Sequence, residues 1–202
     1  MNFILMIPEI VMIVVLIRNN KVSIHELCVE SFRAFGAYLS LVFLFTIQGF
    51  FSDYSSLLIG VSIEELFKIL FFCSFNKEKW HIKSAILFGS VFAMLENFFI
   101  PNLNYQILIP RLFTFFTHSV FLLIYIMSYR WLKNKGVKGA LIFACSLGIF
   151  SHILFDIVVE GGNVVAFSFV NALFFEIFIF AWRKEVKNQR NKCHLDEAEE
   201  IL

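Results

Sequence analysis

Seven stretches of about 17 to 22 predominantly apolar residues take up most of this 202-residue chain: 1–17, 34–51, 54–75, 84–100, 112–129, 140–159 and 164–182. A stretch of that length matches the hydrocarbon thickness of a bilayer, where a helix satisfies its own backbone hydrogen bonds. Composition points the same way, with 59% hydrophobic and 16% charged residues against about a half and a quarter in a soluble domain. The 28 Phe residues alone exceed what a water-soluble interior of this size can bury beside its other apolar side chains. The expectation is an all-α, polytopic bundle of about seven transmembrane helices, a multi-pass protein of the cell membrane with the lipid bilayer as its first partner. A net charge of +1 supplies no basic field, so nucleic acid is not an expected partner.

The positions of the cations set the expected orientation. Of the 17 Lys and Arg, 15 fall in four connections: Arg18, Lys21 and Arg33; Lys77, Lys79 and Lys83; Arg130, Lys133, Lys135 and Lys138; and Arg183, Lys184, Lys187, Arg190 and Lys192. Alternation of basic and non-basic loops predicts an N-terminus outside and a C-terminus inside. Behind a Ser23-x-x-Glu26 capping box, Ile24, Leu27, Cys28, Ser31 and Phe32 recur at helical spacing, which predicts an in-plane amphipathic helix near 23–33. The expected membrane domain is 1–182, followed by a charged cytoplasmic tail at 183–202 that reads as solvated. Residues 1–17 lack a basic leader and a small-residue cleavage site, and are read as a first helix. Neither a repeat nor a Gly-rich phosphate loop is visible, and the four cysteines suggest neither disulfides nor a Cys-rich zinc site.

The two remaining cations, Lys68 and Arg111, lead to the chemistry. A charge at membrane depth costs several kcal/mol unless it is paired or hydrated, yet the third span holds Glu64, Glu65 and Lys68. The fourth ends in Glu96-Asn97, the fifth begins at Arg111 and carries His118, and the sixth carries His152 and Asp156. At about 1.5 Å per residue from the outer ends, Glu64 lies roughly 14 Å deep, His152 about 12 Å, His118 about 10 Å and Glu96 about 7 Å. Glu64 and Lys68 share a helix face, as do His152 and Asp156. A convergent polar pocket in the outer half follows, able to position a water and accept its proton.

Blander readings exist for each residue. Ser62-x-x-Glu65 matches a capping box, but a helix begun at Ser62 has only 14 residues to Phe75, too few to span. A buried Glu65–Lys68 pair leaves Glu64 unexplained. A lone intramembrane His or Asn commonly bonds a neighbouring helix, whereas two His at matched depth favour chemistry. Glu9 and Glu176 fall outside the expected site, the first for uncertain depth and the second for its inner-half position.

In order and spacing, Glu64-Glu65-x-x-Lys68, Phe92-Ala93-x-x-Glu96-Asn97, Arg111 with His118, and His152-x-x-x-Asp156 resemble the motifs of the PrsW family of intramembrane proteases. More distantly they resemble the CAAX prenyl endopeptidases and related bacteriocin-immunity proteins. The resemblance covers roughly residues 60–156. It implies a glutamic-type intramembrane endopeptidase acting on a membrane-anchored protein, in PrsW-like members an anti-sigma factor cut near its outer end. By resemblance, Glu64 is the base, His118 shares the proton, and His152 and Asp156 face the scissile carbonyl. Glu65, Lys68 and Arg111 hold Glu64 in place, with Glu96 and Asn97 also supporting. No cofactor is expected. The alternatives are a zinc enzyme built on the same Glu and His residues, a CAAX-type prenyl-protein peptidase, a non-catalytic scaffold or immunity protein binding a transmembrane partner, and a proton-coupled transporter.

The expected orientation is directly testable. In a cysteine-free background, Lys79→Cys and Lys135→Cys should react with an impermeant maleimide only after the cytoplasmic face is opened, and labelling of either from intact cells would overturn it.

Overall fold

The computed structural model of the chain describes residues 3–18, 22–51, 57–73, 81–98 and 114–199. Among these residues the structure is entirely helical, with a 3-10 turn Phe3–Met6 and seven α-helices: α1 Ile7–Arg18, α2 Ile24–Phe51, α3 Leu57–Cys73, α4 Ile82–Phe98, α5 Thr114–Asn134, α6 Ala140–Glu160 and α7 Val164–Glu199. Three of them, over Ile24–Leu44, Ala140–Val159 and Val164–Lys184, are long and apolar enough to cross a membrane.

Local chemistry explains the ends. Pro8 lies in the first turn of α1, where its missing N–H forfeits no hydrogen bond. The Ser23–Glu26 capping box closes reciprocally at the start of α2: the Ser23 N–H donates to Glu26 Oε2 at 2.8 Å and the Glu26 N–H to Ser23 Oγ at 3.1 Å. Two residues past the end of α5 stands Gly136, whose φ of 71° suits glycine. Beside it the Val137 N–H reaches back to the Leu132 carbonyl and the Gly136 N–H to that of Lys133, both at 3.0 Å. α7 is capped by Asn163 Oδ1, which accepts from the Val165 and Ala166 N–H groups at 3.1 Å.

Two expected boundaries differ. Residues 23–33 and 34–51 form one continuous helix rather than an in-plane helix followed by a span. No proline interrupts the sequence there, and Gly36 alone is too weak a breaker to end a helix capped so well. Likewise α7 does not stop near residue 182 but runs through the charged segment to Glu199, a stretch rich in Lys, Arg and Glu and free of Gly and Pro.

α4 is the central element. It packs against α1, α2 and α5, and residues 84 to 93 are all buried, as expected of a helix enclosed on every side. Its small residues bring neighbouring backbones close: a Cβ on Gly89 would stand 2.5 Å from the Ser119 nitrogen of α5, and Ser119 Oγ donates to the Ile86 carbonyl at 3.1 Å. The outer surface is apolar where a soluble protein is polar, with Ile142 71%, Phe169 70% and Val165 80% exposed. Glu9, Glu65, Lys68, Asn97, His118 and His152 are inside. This inverted distribution suits a lipid solvent.

Gly89→Ala should therefore lower stability by about 1–3 kcal/mol, because backbone atoms cannot yield to the added methyl. Gly148→Ala, whose Cβ would meet only ordinary contacts from 3.6 Å, should be neutral or stabilising. Thermal unfolding of both variants in detergent checks the contrast.

Candidate functional site

One turn of α3 supplies Glu64, Glu65 and Lys68, and three other helices close around it. Lys68 has no exposed surface. Its Nζ lies 2.8 Å from Glu64 Oε1, 2.5 Å from Glu65 Oε1 and 2.9 Å from Nδ1 of His118 on α5. The faces of Phe92 on α4 and Phe121 on α5 cover the ammonium, with centroids at 4.8 and 5.6 Å.

The proton positions follow from these partners. An ammonium only donates, so His118 Nδ1 accepts and the ring carries its proton on Nε2. That nitrogen donates to Glu96 Oε2 of α4 at 2.8 Å. On the opposite side, His152 Nδ1 of α6 donates to Glu65 Oε1 at 2.7 Å, and its Nε2 lies 3.5 Å from Asp156 Oδ2. The His152 ring stacks on Phe121 with centroids 4.4 Å apart. A continuous chain thus runs from Glu96 through His118, Lys68 and Glu65 to His152, crossing four helices.

Accessibility divides the two adjacent glutamates. The Glu65 side chain is 1% exposed, whereas that of Glu64 is 16% exposed, alongside the more open Glu96 and Asp156. Glu64 Oε1 is also central, at 3.8 Å from His118 Nδ1 and 3.9 Å from His152 Nδ1. Glu65 is engaged by two donors on one oxygen, while its buried Oε2 has no hydrogen-bond partner. Such an arrangement sets three partly accessible carboxylates, Glu64 between the other two, beside two imidazoles, the equipment of general acid–base chemistry.

The cluster contains Glu64, Glu65, Lys68, Glu96, His118, His152 and Asp156. Asn97 points elsewhere: its Nδ2 donates to Glu9 Oε1 at 2.8 Å and to the Leu5 carbonyl at 3.3 Å, fastening α1 to α4. Successive helical residues diverge by about 100°, which separates Asn97 from Glu96. Glu9, set outside the site on sequence, is fully buried in this α1–α4 contact, while Glu176 is exposed on α7. Arg111 lies outside the described residues. Phe121 is the residue that sequence reasoning missed. Among 28 Phe residues, only its position three residues after His118 marked it.

Glu64, Glu65 and His152 each offer a ligand atom within 4.8 Å of one another, the donor set that a zinc ion accepts. In this arrangement the Lys68 ammonium already sits against both carboxylates, and the N–H of His152 Nδ1, rather than its lone pair, faces Glu65. A dication between these groups would have to displace Lys68 and reverse the imidazole, so the residues as arranged do not fit one.

Comparison with known protein families, curated proteins and solved structures finds no match to this chain.

Removing the ammonium leaves two facing carboxylates uncompensated. Lys68→Met should cost about 3–5 kcal/mol of stability, and adding Glu65→Gln should restore part of it, which thermal unfolding of the single and double variants measures.

Proposed function

We propose that this protein is an intramembrane endopeptidase of PrsW-like type, with seven spans, its N-terminus outside and its C-terminus in the cytoplasm. It hydrolyses a peptide bond of a membrane-anchored protein, with an anti-sigma factor cut near its outer end as the substrate type that the resemblance suggests. The observation that carries this reading is the meeting of Glu64, Glu65, Lys68, Glu96, His118 and His152 from four helices inside an apolar bundle. Placing so many ionisable groups at membrane depth is costly, and function is the usual reason for bearing that cost.

In this mechanism Glu64 accepts a proton from a water as its oxygen attacks the scissile carbonyl carbon. The C–N bond then breaks, and the departing amine takes the proton back from Glu64 or through His118. His152 and Asp156 lie on the carbonyl side of the reacting centre. Lys68 and Glu65 position Glu64 and do not touch the substrate. Shielding from bulk water strengthens each of these electrostatic contacts.

A non-catalytic scaffold or immunity protein is the second reading. The saturated contacts of Lys68 favour it, because a closed ion cluster can also serve only to lock helices together. Turnover of a reconstituted single-span substrate separates the two. Glu64→Gln should lower cleavage by about 10²-fold or more while leaving folding and substrate capture intact. Glu65→Gln should lose stability along with activity. Wild-type turnover in Glu64→Gln would remove the base assignment, and indifference to both glutamates would favour the scaffold.

A further inference from the structure

A cavity of about 450 Å³ opens among α4, α5 and α7, and it shares no lining residue with the ionisable cluster. Arg130 from α5 and Lys184 from α7 line it together with Ile82, Met127, Trp131 and Phe180, and no Asp or Glu does so among the described residues. It lies at the basic end of the bundle, where Lys133 sits in the last turn of α5, Lys135 and Lys138 follow that helix and Arg183 adjoins Lys184. Near the same end Lys83 bridges to Glu26, joining the start of α4 to that of α2.

The lining has two chemistries. Cations from two helices converge on one space and select an anion there, with arginine suited to a phosphate because its guanidinium can donate to two oxygens. Met127, Phe180 and Ile82 supply an apolar wall. Trp131 is 63% exposed and Phe180 59% exposed, so this wall continues onto the apolar outer surface, with an indole where tryptophans favour the headgroup level. A soluble phosphate would use only the cations. A lipid uses both parts: its phosphate meets Arg130 and Lys184, and its glycerol and upper acyl carbons lie along Met127, Trp131 and Phe180. Basic pockets between transmembrane helices recognise anionic headgroups on these terms.

We propose that this cavity is a binding site for an anionic phospholipid, with Arg130 and Lys184 holding the headgroup phosphate. The site is independent of the peptidase reading and requires only that the bundle be embedded in a membrane.

The test offers delipidated protein in neutral detergent phosphatidylglycerol or phosphatidylcholine with identical chains, and reads retention by native mass spectrometry. Wild type should prefer phosphatidylglycerol by about thirtyfold, the effect of two interfacial cations together. Arg130→Gln/Lys184→Gln should abolish the preference, whereas Lys135→Gln/Lys138→Gln, which removes equal charge from the α5–α6 turn, should keep it. Arg130→Lys/Lys184→Arg should also keep it, which separates loss of charge from disturbed folding, and Phe180→Ala should weaken both lipids alike. Equal retention of the two lipids by wild type, or equal loss of preference in the two glutamine pairs, would overturn the proposal. Displacement of phosphatidylglycerol by equimolar inorganic phosphate would overturn it too, by making the site one for soluble anions.

Discussion

An ammonium with no exposed surface governs the middle of this bundle. Moving such an ion out of water costs several kcal/mol even after relaxation. Lys68 meets that cost with two carboxylates, an imidazole and two aromatic faces. Because these partners come from α3, α4 and α5, the helices can pack here only in a register that completes its surroundings. Glu65 extends the constraint to α6 through His152. The ionisable residues are therefore part of what specifies the packing, in a setting where lipid gives helices little hydrophobic reason to prefer one neighbour over another.

The same cluster is graded from inside to outside. Lys68 and Glu65 form a closed interior, while Glu64, Glu96 and Asp156 keep partial access to the surroundings. A carboxylate that must exchange protons with a bound water needs such access, and one that merely balances charge does not. Adjacent glutamates on a single turn can occupy both environments because their side chains diverge, so a two-residue motif supplies a buried anchor and a partly exposed carboxylate together.

Much of the helical framework was legible because apolar length is a strong signal, and each of the seven apolar stretches coincides with most of a helix. The pairing of Glu64 with Lys68 was legible for a similar reason, since helical periodicity fixes which residues share a face. Contacts between helices were not. Nothing in the chain's spacing links Glu65 to His152 or Glu96 to His118, although matched depth placed them at one level. Adjacency misled in one case: Asn97 follows Glu96 yet faces α1, and its partner Glu9 lies 88 residues away. The continuous α2 and the extended α7 were hidden because hydropathy reports where a helix meets lipid, whereas caps and breakers decide where it ends.

The close approach of Gly89 to Ser119 has a mechanical consequence. Where two backbones touch without intervening side chains, no rotamer change can take up displacement, so α4 and α5 behave as one rigid wall. The α3–α6 seam is different, because side-chain contacts such as that between Glu65 and His152 can lengthen and re-form. Small displacements between helices are taken up more readily at such a side-chain seam than at the α4–α5 contact. Movement there would strain the Glu65–His152 link and so reach the imidazole that stands 3.9 Å from Glu64 Oε1.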